Sequence, residues 1–248
     1  MDFSKISYKS FLGRLLRLPL RLIPKRAVLP IMQGGLRGKK WVVGAGEHGY
    51  WLGSYELRKR SAFEREVLPG MVVYDIGANV GFYSLLAAHL AGMGGKVYAF
   101  EPLGRNVAYI RQHAALNGFD TILVFEAAVA EQNGEALFDP GASIATGRLS
   151  DDGTLRVQQF ALDTLLAEGK IDPPDVMKVD VEGAEHAVVM GARHIIQAYR
   201  PLIFLDTHNR EAHTATLGFL QAYGYHFEVL DGRPLEASKE LIARPQPR

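Results

Sequence analysis

The feature that most constrains this chain is a regular alternation of two sequence patterns from residue 71 onward. Short apolar runs rich in β-branched residues alternate with longer segments that repeat apolar residues at helical spacing. The predicted strands are Met71–Ile76, Lys96–Phe100, Thr121–Phe125, Val176–Val181 and Leu202–Asp206. The predicted helices are Val80–Ala91, Leu103–Asn117, Leu162–Ala167, Ala184–Ala198 and Arg210–Tyr223. This alternation predicts an α/β fold, a mostly parallel sheet with helices on both faces.

Two regions modify this simple pattern. His226–Leu230 and Glu240–Ala243 predict an antiparallel pair that closes the sheet. The polar stretch 139–154 lies between segments that can pair as strands, and it predicts either a mobile lid or a plain hairpin turn. Ser143 and Arg148 are its candidate contacts to a polar ligand.

Charge is distributed unevenly along the chain. Residues 1–40 contain ten basic side chains and one acidic one, whereas the rest of the chain carries 18 basic and 26 acidic groups. We therefore divide the chain into a basic, partly helical segment at 1–50 and an α/β domain at 51–248. Because this domain is acidic, we expect no nucleic-acid partner.

The basic segment repeats apolar residues at helical spacing, with arginines offset from them. Two interpretations stay open: an amphipathic segment on an anionic membrane surface, or a helical cap packed against the domain. The arginines interrupt the apolar run too often for a secretory signal, and no stretch has the length of a membrane span. We expect a cytoplasmic protein, with peripheral membrane contact through residues 1–40 as the alternative. The apolar positions are Phe11, Leu15, Leu18 and Leu22.

The first predicted strand ends in the turn Asp75-Ile-Gly77-Ala-Asn79-Val-Gly81. Glycines between a strand and a helix permit a tight turn and close approach of a ligand to the backbone. A dinucleotide site would have glycine at position 75, whereas the carboxylate of Asp75 repels phosphate. The turn therefore favours a ligand that carries an ammonium group and no phosphate, although Asp75 can also serve only to cap the loop.

Acidic and small residues follow the next two strands. Glu101-Pro102 lies 24 residues after Gly77, where a carboxylate can accept both hydroxyls of a ribose. After the third strand, the small side chain of Ala128 leaves space for a flat base, although ordinary helix–sheet packing explains it equally well.

The fourth and fifth strands carry the remaining charged groups. In an extended run Lys178, Asp180 and Glu182 point to one face, and three ionisable groups on a buried strand indicate function or an ion-pair network. Asp206 and His208 follow the fifth strand, where His208 either accepts a proton or caps the next helix.

Together these motifs resemble the FkbM family of S-adenosylmethionine-dependent methyltransferases. The resemblance rests on the Asp75–Gly81 turn, Glu101-Pro102, Leu162-Asp163-Thr164-Leu165, Lys178-Val-Asp180-Val-Glu182-Gly183-Ala-Glu185 and the upstream Gly53-Ser-Tyr55-Glu56. It implies a class I, Rossmann-like fold with a seven-stranded, mostly parallel sheet containing one antiparallel strand. It also implies O-methylation of a hydroxyl on a sugar, glycolipid or polyketide-type product. One departure is Asp206, where the family often carries glutamate.

The resemblance implies S-adenosylmethionine as the cofactor and a small-molecule or glycan hydroxyl as the acceptor. The residues expected to bind the cofactor are Glu56, Asp75, Gly77, Asn79, Gly81, Glu101, Pro102, Ala128 and Asp180. The expected catalytic residues are Asp180, Glu182, His208 and Lys178, with Asp180 or His208 accepting the proton while Lys178 tunes the carboxylates.

Three alternatives remain at this stage. Magnesium held by Asp180 with Asp206 or Asn209 is possible on ligand type but is not favoured. The rival functions are a dinucleotide-dependent oxidoreductase and a domain that binds S-adenosylmethionine without catalysis. Nothing in the sequence indicates the oligomeric state.

Overall fold

A seven-stranded sheet forms the centre of the protein. The computed structural model describes residues 19–141, 147–149 and 152–247. The strands are β1 (Val28–Pro30), β2 (Lys40–Val42), β3 (Val72–Ile76), β4 (Lys96–Phe100), β5 (Ile122–Phe125), β6 (Ala128–Val129), β7 (Gly134–Asp139), β8 (Arg148–Leu149), β9 (Leu155–Phe160), β10 (Val176–Val179), β11 (Leu202–Asp206), β12 (Tyr225–Val229) and β13 (Glu240–Pro245). The sheet has the order β12-β13-β11-β10-β3-β4-β5, and β13 is antiparallel to both neighbours while the other pairs are parallel. The predicted fold, with its single antiparallel strand, is confirmed.

Helices cover both faces of this sheet. They are α1 (His48–Leu52), α2 (Leu57–Glu66), α3 (Phe82–Ala91), α4 (Gly104–Asn117), α5 (Leu162–Ala167), α6 (Glu185–Gly191), α7 (Arg193–Ala198) and α8 (Arg210–Ala222), with short 3₁₀ turns at Pro19–Leu22, Gly92–Gly94 and Leu235–Ala237. Alternate residues of β3 point to opposite cores, because Val73 belongs to the cluster that contains Leu86 of α3 and Tyr74 to the cluster that contains Val188 of α6. Burial on both faces explains why these strands read as continuous apolar runs.

Strand order determines where a ligand can bind. The chain passes from β3 to β4 on one side, and the later β10 pairs with β3 on the other side. Such a change of direction opens a crevice beyond the carboxyl ends of the strands. The motifs after β3, β4, β10 and β11 therefore meet at one edge of the sheet.

Two predicted elements differ from the structure for a local backbone reason, and the ends of the other predicted elements lie within two residues of those observed. The fourth strand was expected to reach Val181 but ends at Val179, because Glu182 (φ 55°) and Gly183 (φ 109°) adopt left-handed backbone conformations that turn the chain away. The expected helix Ala184–Ala198 is two helices, α6 and α7, with the break just after Gly191, a residue of low helix propensity.

A smaller sheet of order β6-β9-β7-β8 lies beside the main one. β7 and β9 are antiparallel partners, as expected for the segments that flank the stretch 139–154. Residues 142–146 and 150–151 of that stretch, including Ser143, lie outside the described residues, so the lid remains a prediction.

The described part of the basic segment packs against the α/β domain. β1 and β2 pair in an antiparallel hairpin, and Trp41 is fully buried with its ring stacked on His113 of α4, at 3.9 Å between centroids. The division at residue 50 remains a prediction. Three of the four apolar positions of the predicted amphipathic segment, Phe11, Leu15 and Leu18, lie outside the described part of the chain, and the fourth, Leu22, ends a short 3₁₀ turn and is exposed. Among the described residues, no helix is both long and apolar enough to cross a membrane.

Candidate active site

A cavity of about 390 Å³ opens at the carboxyl ends of the central strands. Most of the predicted site residues line it: Glu56, Gly77, Asn79, Glu101, Pro102, Ala128, Lys178, Asp180, Glu182, Asp206 and His208. Asp75 and Gly81 are not among the lining residues. The cavity thus brings together side chains from four strand ends and from the start of α2.

The turn after β3 needs its first glycine for space as well as for conformation. Gly77 has φ +77°, and a Cβ there would overlap the main-chain carbonyl oxygen of Asp180. Asn79 also has a left-handed backbone (φ 50°), and its buried Oδ1 has no hydrogen-bond partner among the described residues. The turn therefore brings its backbone to the cavity wall and holds a buried, unpaired acceptor within that wall.

Asp75 lies beneath this turn, where it anchors a buried lysine. Its Oδ2 accepts a hydrogen bond from Ser84 (2.6 Å), and its Oδ1 lies 3.5 Å from Nζ of Lys178. The same Nζ lies 3.3 Å from Oδ2 of Asp180. Although burial opposes the charge, Asp180 and Asp75 hold the pKa of Lys178 above its usual value. Lys178 thus joins Asp75 to the cavity wall.

Glu101 is held rigidly at the end of β4. Its Oε2 accepts the backbone N–H of Asn79 (2.9 Å), and its Oε1 accepts the N–H of Leu103 (3.0 Å) and Nδ2 of Asn106 (3.1 Å). Burial nevertheless raises the pKa of Glu101 to about 7. A carboxylate fixed in this way can still accept hydrogen bonds from hydroxyl groups through its remaining lone pairs.

A second buried lysine, which the sequence analysis missed, lies on α2. Nζ of Lys59 is 2.7 Å from Oε2 of Glu56 and 2.8 Å from Oδ2 of Asp206. The hydroxyl of Tyr83 donates to the same oxygen of Glu56 (2.9 Å), and its ring lies between the two buried lysines, 5.5 Å from Lys59 Nζ and 5.4 Å from Lys178 Nζ. The spacing of Glu56 and Lys59, three residues apart across the start of a helix, was the available signal.

His208 lies at the mouth of the cavity among three carboxylates. Its Nδ1 is 2.7 Å from Oε1 of Glu185, which is fully buried. Its Nε2 is 3.5 Å from Oδ1 of Asp180 and 3.5 Å from Oε1 of Glu182. His208 does not cap α8, because Oδ1 of Asn209 does so by accepting from the N–H of Ala212 (2.8 Å).

The charges around His208 shift the pKa values of His208 and Asp180 in opposite directions. Although burial lowers it, the hydrogen bond to Glu185 and the nearby Asp180 and Glu182 raise the pKa of His208 above its usual value. Burial would raise the pKa of Asp180, but Lys178, Lys59 and His208 keep it below its usual range. Asp180 is thus a weak base and His208 a stronger one.

The donor atoms also bear on metal binding. Asp180, Glu182 and His208 each place one donor atom within 4.8 Å of the others. The set expected from the sequence is arranged differently, since Asp206 pairs with Lys59 and Asn209 caps α8. Burial and the neighbouring Asp180 and Glu56 raise the pKa of Asp206 to about 7 even against Lys59.

Residues 75–227 match the model of the methyltransferase FkbM domain. Similar characterised proteins include the hexuronic acid methyltransferase AglP of Haloferax volcanii, 26% identical over 51% of this chain and 52% of that protein. The 31-O-demethyl-FK506 methyltransferase FkbM of Streptomyces tacrolimicus is 26% identical over 71% of this chain and 80% of that protein. The chain spans about half the length of the first of these relatives.

One solved structure extends the likeness to the fold. The methyltransferase FkbM of Methylobacillus flagellatus KT superposes with a TM-score of 0.52 at 15% sequence identity. The match covers 80% of this chain and 55% of that one. The shared architecture places the cavity where this α/β fold binds its ligands.

Proposed function

The chain belongs to the FkbM methyltransferase family, and from that premise we propose that it transfers a methyl group from S-adenosylmethionine to a hydroxyl oxygen. The observation that carries the proposal is the acid-lined cavity at the carboxyl ends of the central strands. The cavity supports both the donor and the reaction. Glu101 and Ala128 lie where an adenosine would bind, and Asp180 and His208 offer a base for the acceptor's proton.

The residues present fit S-adenosylmethionine. The donor contains an adenosine, an amino-acid tail and a sulfonium, and no phosphate. Glu101 offers a fixed carboxylate for the ribose, and the wall around Ala128 and Leu103 is apolar, as the adenine requires. Glu56 and Asp180 supply negative charge, and the unpaired Oδ1 of Asn79 supplies a buried acceptor for the polar tail.

When bound, the donor supplies a methyl group on a positively charged sulfur, which leaves as a neutral thioether. The chain's task is to hold the acceptor oxygen in line with that methyl group, and such orientation contributes about 7–11 kcal/mol. Asp180 or His208 takes the hydroxyl proton, and Lys178, in contact with Asp75 and Asp180, tunes the carboxylates.

The acceptor we propose is a sugar or polyketide-type hydroxyl. The support comes from relatives whose names specify a hexuronic acid, a 2-O position and the 31-O position of FK506. The cavity agrees with a polar acceptor, because Glu182, His208 and Lys239 surround its mouth.

Calorimetry and a turnover assay test this function. We expect heat on titration of the intact chain with S-adenosylmethionine, and methyl transfer to at least one of a hexuronic acid glycoside, a neutral glycoside and 31-O-demethyl-FK506. Binding without transfer to any of them would favour a non-catalytic domain. Binding of NADH in place of S-adenosylmethionine, followed by nicotinamide fluorescence, would favour an oxidoreductase and contradict the proposal.

A further inference from the structure

The last glutamate of the Lys178–Glu185 motif has no role in the reaction as outlined so far. Glu185 is the first residue of α6 and is fully buried. An ionised carboxylate is costly to bury unless it is paired, so a position like this requires partners. Its Oε1 accepts the backbone N–H of Gly183 at 2.9 Å and faces Nδ1 of His208 at 2.7 Å.

These two contacts determine which ring nitrogen carries the proton. The oxygen that faces Nδ1 is a carboxylate oxygen and can only accept, so Nδ1 must donate to it. The other nitrogen, Nε2, is then the one with the lone pair. Its nearest carboxylate oxygens, on Asp180 and Glu182, are 3.5 Å away, beyond the usual length of a hydrogen bond.

The surroundings of Nε2 suit a group that gains a proton. A proton placed there points towards Asp180 and Glu182, so the resulting imidazolium has a carboxylate on each side and a third at Nδ1. Lys239, which also lines the cavity and lowers the pKa of Glu182, is the opposing cation on this side.

We propose that His208 is the general base of the methyl transfer and that Glu185 is its positioning residue, fixing the proton on Nδ1 and leaving Nε2 free to take the acceptor's proton. This inference rests on the proposed function. The balance is complete: the acceptor's O–H bond breaks, its proton goes to Nε2, the oxygen bonds the methyl carbon, and the carbon–sulfur bond's electrons leave with sulfur. The imidazolium then returns its proton to water.

Two substitutions of Glu185 separate its contributions. Glu185→Gln keeps an oxygen that can accept from Gly183 and Nδ1, so the tautomer persists and only the negative charge is lost. Glu185→Ala removes both the accepting oxygen and the negative charge. We expect a moderate fall in kcat for E185Q and a larger fall for E185A, up to the roughly 10²–10⁴-fold that a general base contributes. The KM for S-adenosylmethionine changes less than about twofold, since neither variant alters the donor subsite.

The decisive readout needs no acceptor. Nitrogen-15 spectra of the histidine rings, recorded where the ring is neutral and assigned with His208→Gln, report the tautomer directly. We expect protonated Nδ1 in the wild type and in E185Q, and loss of that preference in E185A. Glu211→Gln is the matched control, because Glu211 is an exposed glutamate in the first turn of α8.

A double variant completes the test. If the two residues act as one unit, E185A with His208→Ala is no slower than His208→Ala alone. Additive losses, or an unchanged Nδ1 signal in E185A, would overturn the pairing even with an active wild type. Wild-type protein that transfers no methyl group would instead count against the proposed function, whatever the spectra show.

Discussion

Gly77 and Asp180 touch through their main chains: the Cα of Gly77 lies so close to the carbonyl oxygen of Asp180 that no Cβ fits between them. This contact joins the turn that we propose faces the donor to the strand end that we propose faces the acceptor. The two halves of the cavity are therefore set relative to each other by backbone.

The first prediction follows from that contact. Gly77→Ala must shift the turn, so we expect donor affinity to fall at least about tenfold, which corresponds to roughly 1.4 kcal/mol. Gly118→Ala is the matched control, because Gly118 (φ +66°) ends α4 and nothing lies within 4 Å of its added Cβ. We expect the unfolding free energy of G118A to fall by roughly 1–2 kcal/mol, because alanine is strained in a left-handed conformation, and we expect its donor affinity to stay unchanged. Equal calorimetric affinities for the two variants would contradict the argument.

The second prediction concerns pH. Burial raises the pKa of Glu101 to about 7, so its carboxyl is protonated below that pH and ionised above it. Only the ionised form accepts both ribose hydroxyls. Donor affinity should therefore weaken by up to about tenfold per pH unit below 7 and level off above 7. In Glu101→Gln this component of the dependence should vanish, with weak binding throughout.

Calorimetry from pH 5.5 to 8.5 on both proteins measures it. The two share every other titrating group, including those of the donor, so the difference between their curves isolates Glu101. Parallel curves would show that Glu101 does not titrate on binding.

The strands of the sheet could be predicted from the sequence because a strand that is buried on both faces appears as a continuous apolar run. Strands such as Lys96–Phe100 and Leu202–Asp206 end where the apolar run ends, and both were predicted to the residue. The end of β10 was not, because a left-handed residue other than glycine, Glu182, has no signature in a one-dimensional pattern.

The same contrast holds within the site. Residues at strand ends reach the cavity by topology alone, so Glu101 and His208 could be placed there in advance. Lys59 could not, because α2 precedes the sheet and its contact with Asp206 spans 147 positions of the chain. Which carboxylate holds His208 depended equally on the turn at Gly183, a tertiary detail.

The third prediction concerns the lysine on α2. Lys59 is 2% exposed and pairs with two carboxylates, so Lys59→Met leaves the buried Asp206 without its cation and leaves Glu56 with the hydrogen bond from Tyr83. We expect a loss of about 3–5 kcal/mol of unfolding free energy at pH 8, from urea titration. The deficit should shrink as the pH falls, because protonation removes the uncompensated charge.

Lys170→Met provides the comparison for that variant. Lys170 pairs with Glu168 at 2.8 Å, but both side chains are about half exposed. A surface pair of this kind contributes less than about 1 kcal/mol, so K170M should unfold almost as the wild type does. Similar losses of unfolding free energy in both variants would mean that the burial of Lys59 does not increase its contribution to stability.

The last prediction is that turnover persists in excess chelator. Asp180, Glu182 and His208 are close enough for one cation to reach all three, but a cation on Nε2 would occupy the lone pair that accepts the proton. Treatment with EDTA should therefore leave kcat unchanged, and added magnesium or manganese should not raise it. Loss of turnover that either metal restores, together with loss of metal affinity in Glu182→Gln, would replace the general-base role of His208 with that of a ligand.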